Sequence, residues 1–185
     1  MGDAFNEQLV RRRPTALDGV KKAGFVAAAF AVFLLAGVFV PGFAIFIGAG
    51  ALFGALYAMG FLNVEYEYAL TNGELDVDII YNKARRRRLF SVAVKEFELM
   101  AHVEDKAHSG AFGGARAALF CHSGATGPDT YAFLATIAGQ RTKVVIEPNE
   151  KLLKALRQAM PRGRFHQFRQ GPHPAPRPPD RDATR

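Results

Sequence analysis

Four consecutive arginines, Arg85, Arg86, Arg87 and Arg88, stand in the stretch ARRRRL. Guanidinium groups bind phosphate and carboxylate through paired N–H donors, so this stretch could face anionic lipid headgroups, nucleic acid or an acidic partner. Just upstream, Glu74, Asp76 and Asp78 alternate along one strand face, with neighbours about 7 Å apart by the strand repeat. Such a row reads as an exposed strand face, open to pairing with arginines across the next turn, rather than as a general acid–base pair. His102, His108, His122, His166 and His173 never fall at the i, i+4 spacing of a helical zinc site. Cys121 and His122 are adjacent, so a strand sends their side chains to opposite faces, and the lone cysteine reads as a buried structural thiol. The glycines at 110, 113 and 114 lack the strand-to-helix context and the Lys-Ser/Thr of a phosphate loop, so they read as a flexible loop. No nucleophile, base and orienting group gather. The expectation is a non-enzyme with no catalytic residue, metal or cofactor.

What the arginines face depends on the elements that carry them. The chain of 185 residues has 24 Lys+Arg against 17 Asp+Glu, a formal charge of +7, and a mean hydropathy of zero that hides strong segregation. From Ala23 to Leu62 forty residues pass without Lys, Arg, Asp, Glu or His. One helix of that length would be about 60 Å long, twice the ~30 Å of a bilayer's hydrocarbon. Pro41-Gly42 near the middle supplies the break. Two membrane spans are therefore expected, at about 23–40 and 43–62. Arg11, Arg12, Arg13, Lys21 and Lys22 precede the first span, Lys83 and the arginine quartet follow the second, and the connecting turn is uncharged. The positive-inside rule then puts both termini of a multi-pass cell-membrane protein in the cytoplasm. Gly50, Gly54 and Ala58 form a small-xxx-small series that could pack the two helices together or pair two copies. In the leader, residues 1–22, Phe5 and Leu9 are spaced for a short amphipathic helix on the membrane surface. A frayed leader fits equally.

After Leu62 the pattern alternates. VEYEYAL and ELDVDI flank Asn72-Gly73, a strong hairpin signal because both turn residues accept positive φ. Further strands are expected over about 87–94, 95–101, 117–122, 130–138 and 142–147, with a Gly-rich loop over 103–116. Leu152, Leu153, Leu156 and Met160 fall at helical spacing, with Asn149 as N-cap and Pro161 as a stop, giving a helix over 149–160. Residues 161–185, rich in Pro, Arg and Gly, bury too little to order and are expected to be a disordered basic tail.

The run YALTNGELDVDII, the basic ARRRRL, the strand pair ending FELMAH and the closing VVIEPNEKLLKALRQAMPR resemble a family of bacterial two-span proteins with a cytoplasmic pleckstrin-homology-like (PH-like) domain. The resemblance covers most of residues 1–162 and implies an N-terminal transmembrane hairpin followed by a mostly antiparallel β barrel, residues 63–160, with a C-terminal helix. It supplies no catalytic residue. The function expected is a membrane-tethered interaction or scaffold module whose partner is the bilayer together with a protein or a second copy. The alternative is anionic-lipid binding through Arg85–Arg88. Nucleic acid is set aside, because the positive charge is juxtamembrane or in the tail.

Overall fold

The structure, a computed structural model, describes residues 5–166. Its first element corrects the reading of the leader. Asn6–Arg11 form a strand, β1, paired antiparallel with β2 (Val64–Thr71), Leu9 lying opposite Glu67 and Arg11 opposite Glu65. A separation of four residues keeps Phe5 and Leu9 on one face of a strand as well as of a helix. Burial decides the period: Gln8 and Val10 turn inward, while Glu7, Leu9 and Arg11 turn outward. Gln8 ties the strand down by donating to the Glu147 carbonyl at 2.8 Å and accepting from the Asn149 amide at 2.7 Å.

Between these partner strands runs a helical pair, α1 (Ala16–Phe39) and α2 (Ala44–Gly60), joined through a 3-10 turn at Pro41–Phe43. α1 starts ahead of the chargeless segment because Thr15 caps it reciprocally with Asp18, satisfying two orphan donors. Both helices are long and apolar enough to cross a membrane, and very little of either is buried within the chain. The pair is an insertion in the β1–β2 connection, so the sheet domain begins upstream of the helices rather than after them.

β2 turns at Asn72-Gly73 (φ 51° and 82°) into β3 (Glu74–Tyr81), and Asn82–Ala84 lead to β4 (Arg85–Ala93). β1-β2-β3-β4 make the first sheet. The second has the order β6-β8-β7-β5-β9, from β5 (Leu99–His102), β6 (Ala117–Cys121), β7 (Tyr131–Ile137), β8 (Gln140–Ile146) and β9 (Phe165–His166). The expected strand over 95–101 is shorter, since Val94–Glu96 form a 3-10 turn. That turn drops Phe97, fully buried, onto Phe133 in a parallel stack 4.0 Å apart. The Gly-rich segment holds a four-residue helix, α3 (Ser109–Phe112), which buries Phe112. α4 (Glu150–Ala159) takes its cap from the Asn149 side chain, 2.8 Å from the Leu152 amide, and packs Leu152 and Leu156 into the core between the sheets.

Beyond Met160 the start of the expected disordered tail is part of the fold, because β9 pairs parallel with β5. His173 and the remainder of that tail lie outside the described residues.

Candidate functional site

The arginine quartet is divided by a bulge. By simple alternation Arg86, Arg88, Phe90 and Val92 would share a face, putting two guanidinium groups into the core. The β3–β4 register slips between Val77 and Asp78, so Arg88 stands opposite Asp78 while Phe90 stands opposite Val77. Phe90 and Val92 are thereby buried, and Arg86 and Arg88 emerge on the outer face among carboxylates. Arg88 meets Asp76 at 3.1 Å and Asp78 at 3.2 Å. Arg86 hydrogen-bonds Glu67 and lies 3.9 Å from Asp78. Arg11 on β1 completes the ladder with Glu65 at 3.0 Å.

Glu65, Glu67 and Asp78 are less than a tenth exposed although they sit on the outer face, because the arginine stems cover them. Burial raises the Glu67 carboxyl above its usual range, and Arg86 pulls it back. Arg85 and Arg87 belong to the other face, opposite Tyr81 and Ile79, and no carboxylate pairs with either among the described residues. The ligand-capable quartet is therefore a pair.

The quartet sits beside the root of the helices. Asn82 and Lys83, in the turn before β4, both hold positive φ (50° and 57°), a conformation that for lysine costs about 1 kcal/mol or more. Close packing fixes the turn. The Asn82 amide nitrogen donates to the Asn63 carbonyl at 2.8 Å, and its side chain lies so near Gly60 at the end of α2 that a Cβ there would come within 2.9 Å. A groove of about 310 Å³ opens at this junction, with Arg11, Arg12, Lys22 and Lys83 among its walls and Asp18 and Glu65 as its carboxylates. Both carboxylates are engaged, Asp18 by Arg12 at 2.6 Å and Glu65 by Arg11. Lys22 and Lys83 have no acidic partner among the described residues. Sequence reading left Lys22 and Lys83 as topology signals. Their convergence follows from β1 and the β3–β4 turn meeting at one sheet corner, and Asn82, which tolerates positive φ, was the only local sign of it.

Gly50 and Gly54 do not pack the helical pair: a Cβ built on either meets nothing within 4 Å. The close approach is at Gly48, where a Cβ would fall 2.5 Å from the Phe33 ring. Ala58 is half-buried on the same helix. The histidines are dispersed. Buried His102 accepts the Glu104 amide on Nδ1, which leaves Nε2–H to point at the carbonyls of Gly127 and Pro128, 3.2 and 3.1 Å away. His108 stacks on His166 at 3.9 Å and holds the Asp105 carboxyl below its ordinary range through a 2.8 Å hydrogen bond. His122 accepts the Gly124 amide and lies edge-on to Phe120, ring centroids 6.2 Å apart. Among the described residues no group of three or more His, Cys, Asp or Glu could hold a metal ion.

Two packed sheets closed by a C-terminal helix, with the first strand upstream of an apolar helical pair, are the arrangement on which the comparison with known families bears. Residues 2–166 match the family described as Bacterial PH-like domain (DUF6106). The chain belongs to this family. The match takes in β1, the helical pair and β9 of this chain together. No curated protein and no solved structure matches the chain.

Proposed function

We propose that this bacterial PH-like protein is a non-catalytic interaction module held on the cytoplasmic face of the cell membrane, where it presents its sheets to a protein partner. The observation that carries the reading is topological. β1 and β2 are hydrogen-bonded neighbours, and the chain between them consists of two helices of membrane-crossing length and composition. A domain joined to a bilayer through two adjacent strands at one end of a strand pair cannot swing away from the leaflet. Positive charge on both flanks of the pair, Arg11 to Arg13 with Lys21 and Lys22 on one side and Lys83 with Arg85 to Arg88 on the other, supports the cytoplasmic side.

The single native cysteine is buried, which suits a labelling test on the full chain. With Gly42→Cys in the connecting turn, a membrane-impermeant maleimide should label intact cells from outside. With Lys95→Cys it should label only after lysis. The reverse pattern, or equal labelling of both, would remove the reading.

Anionic-lipid contact by the arginine strand is supported in a narrower form than the whole quartet. Arg85 and Arg87 are the members without carboxylates, and Arg85 lines a groove with Tyr57 and Phe61 at the end of α2. Each such charge near an anionic leaflet contributes about 1 kcal/mol. Replacing both by alanine should weaken recruitment of anionic lipid around the reconstituted chain, whereas replacing Arg86 and Arg88 should act through stability.

A further inference from the structure

We propose that the groove at the junction of the helical pair and the first sheet binds the headgroup phosphate of an anionic glycerophospholipid, with Lys22 and Lys83 as its charge partners. The site rests on the reading that α1 and α2 cross the bilayer. Its walls come from the two places where the chain leaves the chargeless segment: Lys22 is the last charged residue before it, and Leu62 and Asn63 close its other end. A phosphate at that depth is a component of the leaflet itself, and its acyl chains would run along helices whose large apolar side chains are mostly exposed.

The chemistry of the walls fits one monoanionic phosphate diester. Four cations meet two carboxylates, each carboxylate is already held by an arginine, and the two lysines are the groups left over. An ammonium on a flexible stem reaches phosphate as a point charge without needing the planar fork of arginine. At about 310 Å³ the groove is at the small end of ligand sites, about 300–1,000 Å³, which suits a glycerophosphate headgroup rather than a whole lipid. Lys83 is also held there by an unfavourable backbone: it keeps positive φ in a turn locked to Gly60 through Asn82, where glycine would relax the turn and leave no charge. A residue kept against its backbone preference, beside an unpaired lysine from another element, points to a ligand rather than to a simple turn.

The test uses the full chain in non-ionic detergent. Dihexanoyl phosphatidylglycerol should raise the thermal midpoint saturably. The same concentration of dihexanoyl phosphatidylcholine or inorganic phosphate should leave it nearly unchanged. Lys22→Ala with Lys83→Gly should raise the apparent Kd for phosphatidylglycerol at least tenfold, and Arg85→Ala with Arg87→Ala should change it less than twofold. Both lysines are outside the core, so the double variant should keep the wild-type melting cooperativity in detergent alone. An unchanged Kd in the lysine variant overturns the site. A shift reproduced by inorganic phosphate overturns the lipid as its occupant. Carbonate extraction of native membranes separates this from the tethering reading. A chain that washes off removes the spanning helices, whereas one that stays embedded yet ignores phosphatidylglycerol removes only the groove.

Discussion

Replacing Arg86 with alanine should destabilise the domain, and replacing Arg87 next to it should not. Arg86 hydrogen-bonds Glu67 and approaches Asp78, whose side chains are 8% and 12% exposed. Truncating one partner of a fully buried ion pair costs about 3–5 kcal/mol, and an exposed pair contributes about 0–1 kcal/mol. The Arg86 side chain is 56% exposed while its partners are buried, so the expected loss lies between these limits, about 1–2 kcal/mol. In a domain of this size that is a fall of about 5–10 °C in the melting midpoint of the full chain in detergent. Arg85→Ala and Arg87→Ala, with no carboxylate to strand, should stay within about 0.5 kcal/mol of wild type. The pH dependence gives a second reading. Burial raises the Glu67 carboxyl, and Arg86 opposes that rise. Removing Arg86 lets the folded carboxyl rise further and hold its proton more strongly. The deficit should therefore be full at pH 7 and shrink as the pH falls through the carboxylate range, where the stranded groups neutralise. Four equal losses along the quartet, or an Arg86→Ala deficit that is the same at pH 7 and pH 4.5, would refute the division of the arginines.

A fragment beginning at Asn63 should aggregate or melt early, because it lacks β1, opens the edge of β2 and loses the burial of Val10, about 1.5–3 kcal/mol alone. Substituting a short Gly/Asn loop for Pro14–Leu62 should instead give a soluble, cooperatively melting monomer by size exclusion, since Arg12 and Val64 already lie 3.0 Å apart as backbone donor and acceptor. Gly48→Ala should lower the melting midpoint in detergent by crowding Phe33, while Gly54→Ala, which meets nothing, should leave it unchanged or raise it slightly. Burial pushes the Cys121 thiol up from 9.0 to about 12, so maleimide at pH 8 should react slowly until the chain unfolds. The unfolded thiol releases its proton above about pH 9 and the folded one does not, so this group makes stability fall across pH 9 to 12, as alkaline melts would show.

The strands and helices that stood out in the sequence carry two agreeing signals. β2 and β3 alternate on either side of Asn72-Gly73, and α4 has both a period and a cap. The two apolar helices stood out because forty residues without a charge have few other uses. What remained hidden depends on long-range pairing. β1 is six residues whose partner lies more than fifty positions away, and its apolar spacing of four satisfies both periods. The division of the arginines rests on a one-residue slip opposite Val77 and Asp78, which no alternation count foresees because alternation assumes that there is none. The small-residue series shows a related limit: spacing identifies a flat face on α2 without saying which way it turns, and within the chain it is Gly48, outside the series, that faces Phe33.

Placing the helices inside the strand pair changes what the anchor does. An anchor at a terminus would leave the domain free to rotate about one linker. Under the proposed tethering the chain enters the bilayer from β1 and returns into β2, strands whose ends are fixed to each other by the Arg12–Val64 hydrogen bond and to the loop after β6 by the Arg13–Ser123 hydrogen bond at 2.7 Å. Two more contacts stiffen the same corner: Arg12 holds Asp18 in the first turn of α1, and Asn82 sits against Gly60 at the end of α2. Two crossings rooted in one sheet corner would restrict tilt as well as distance. With the helices so tethered, the acidic–basic ladder of Glu65, Glu67, Asp78, Arg86 and Arg88 would keep one fixed relation to the leaflet. Charge near the membrane also divides by role. Carboxylates take Arg11, Arg12, Arg86 and Arg88 for the fold, and among the described residues Lys22, Lys83, Arg85 and Arg87 pair with none.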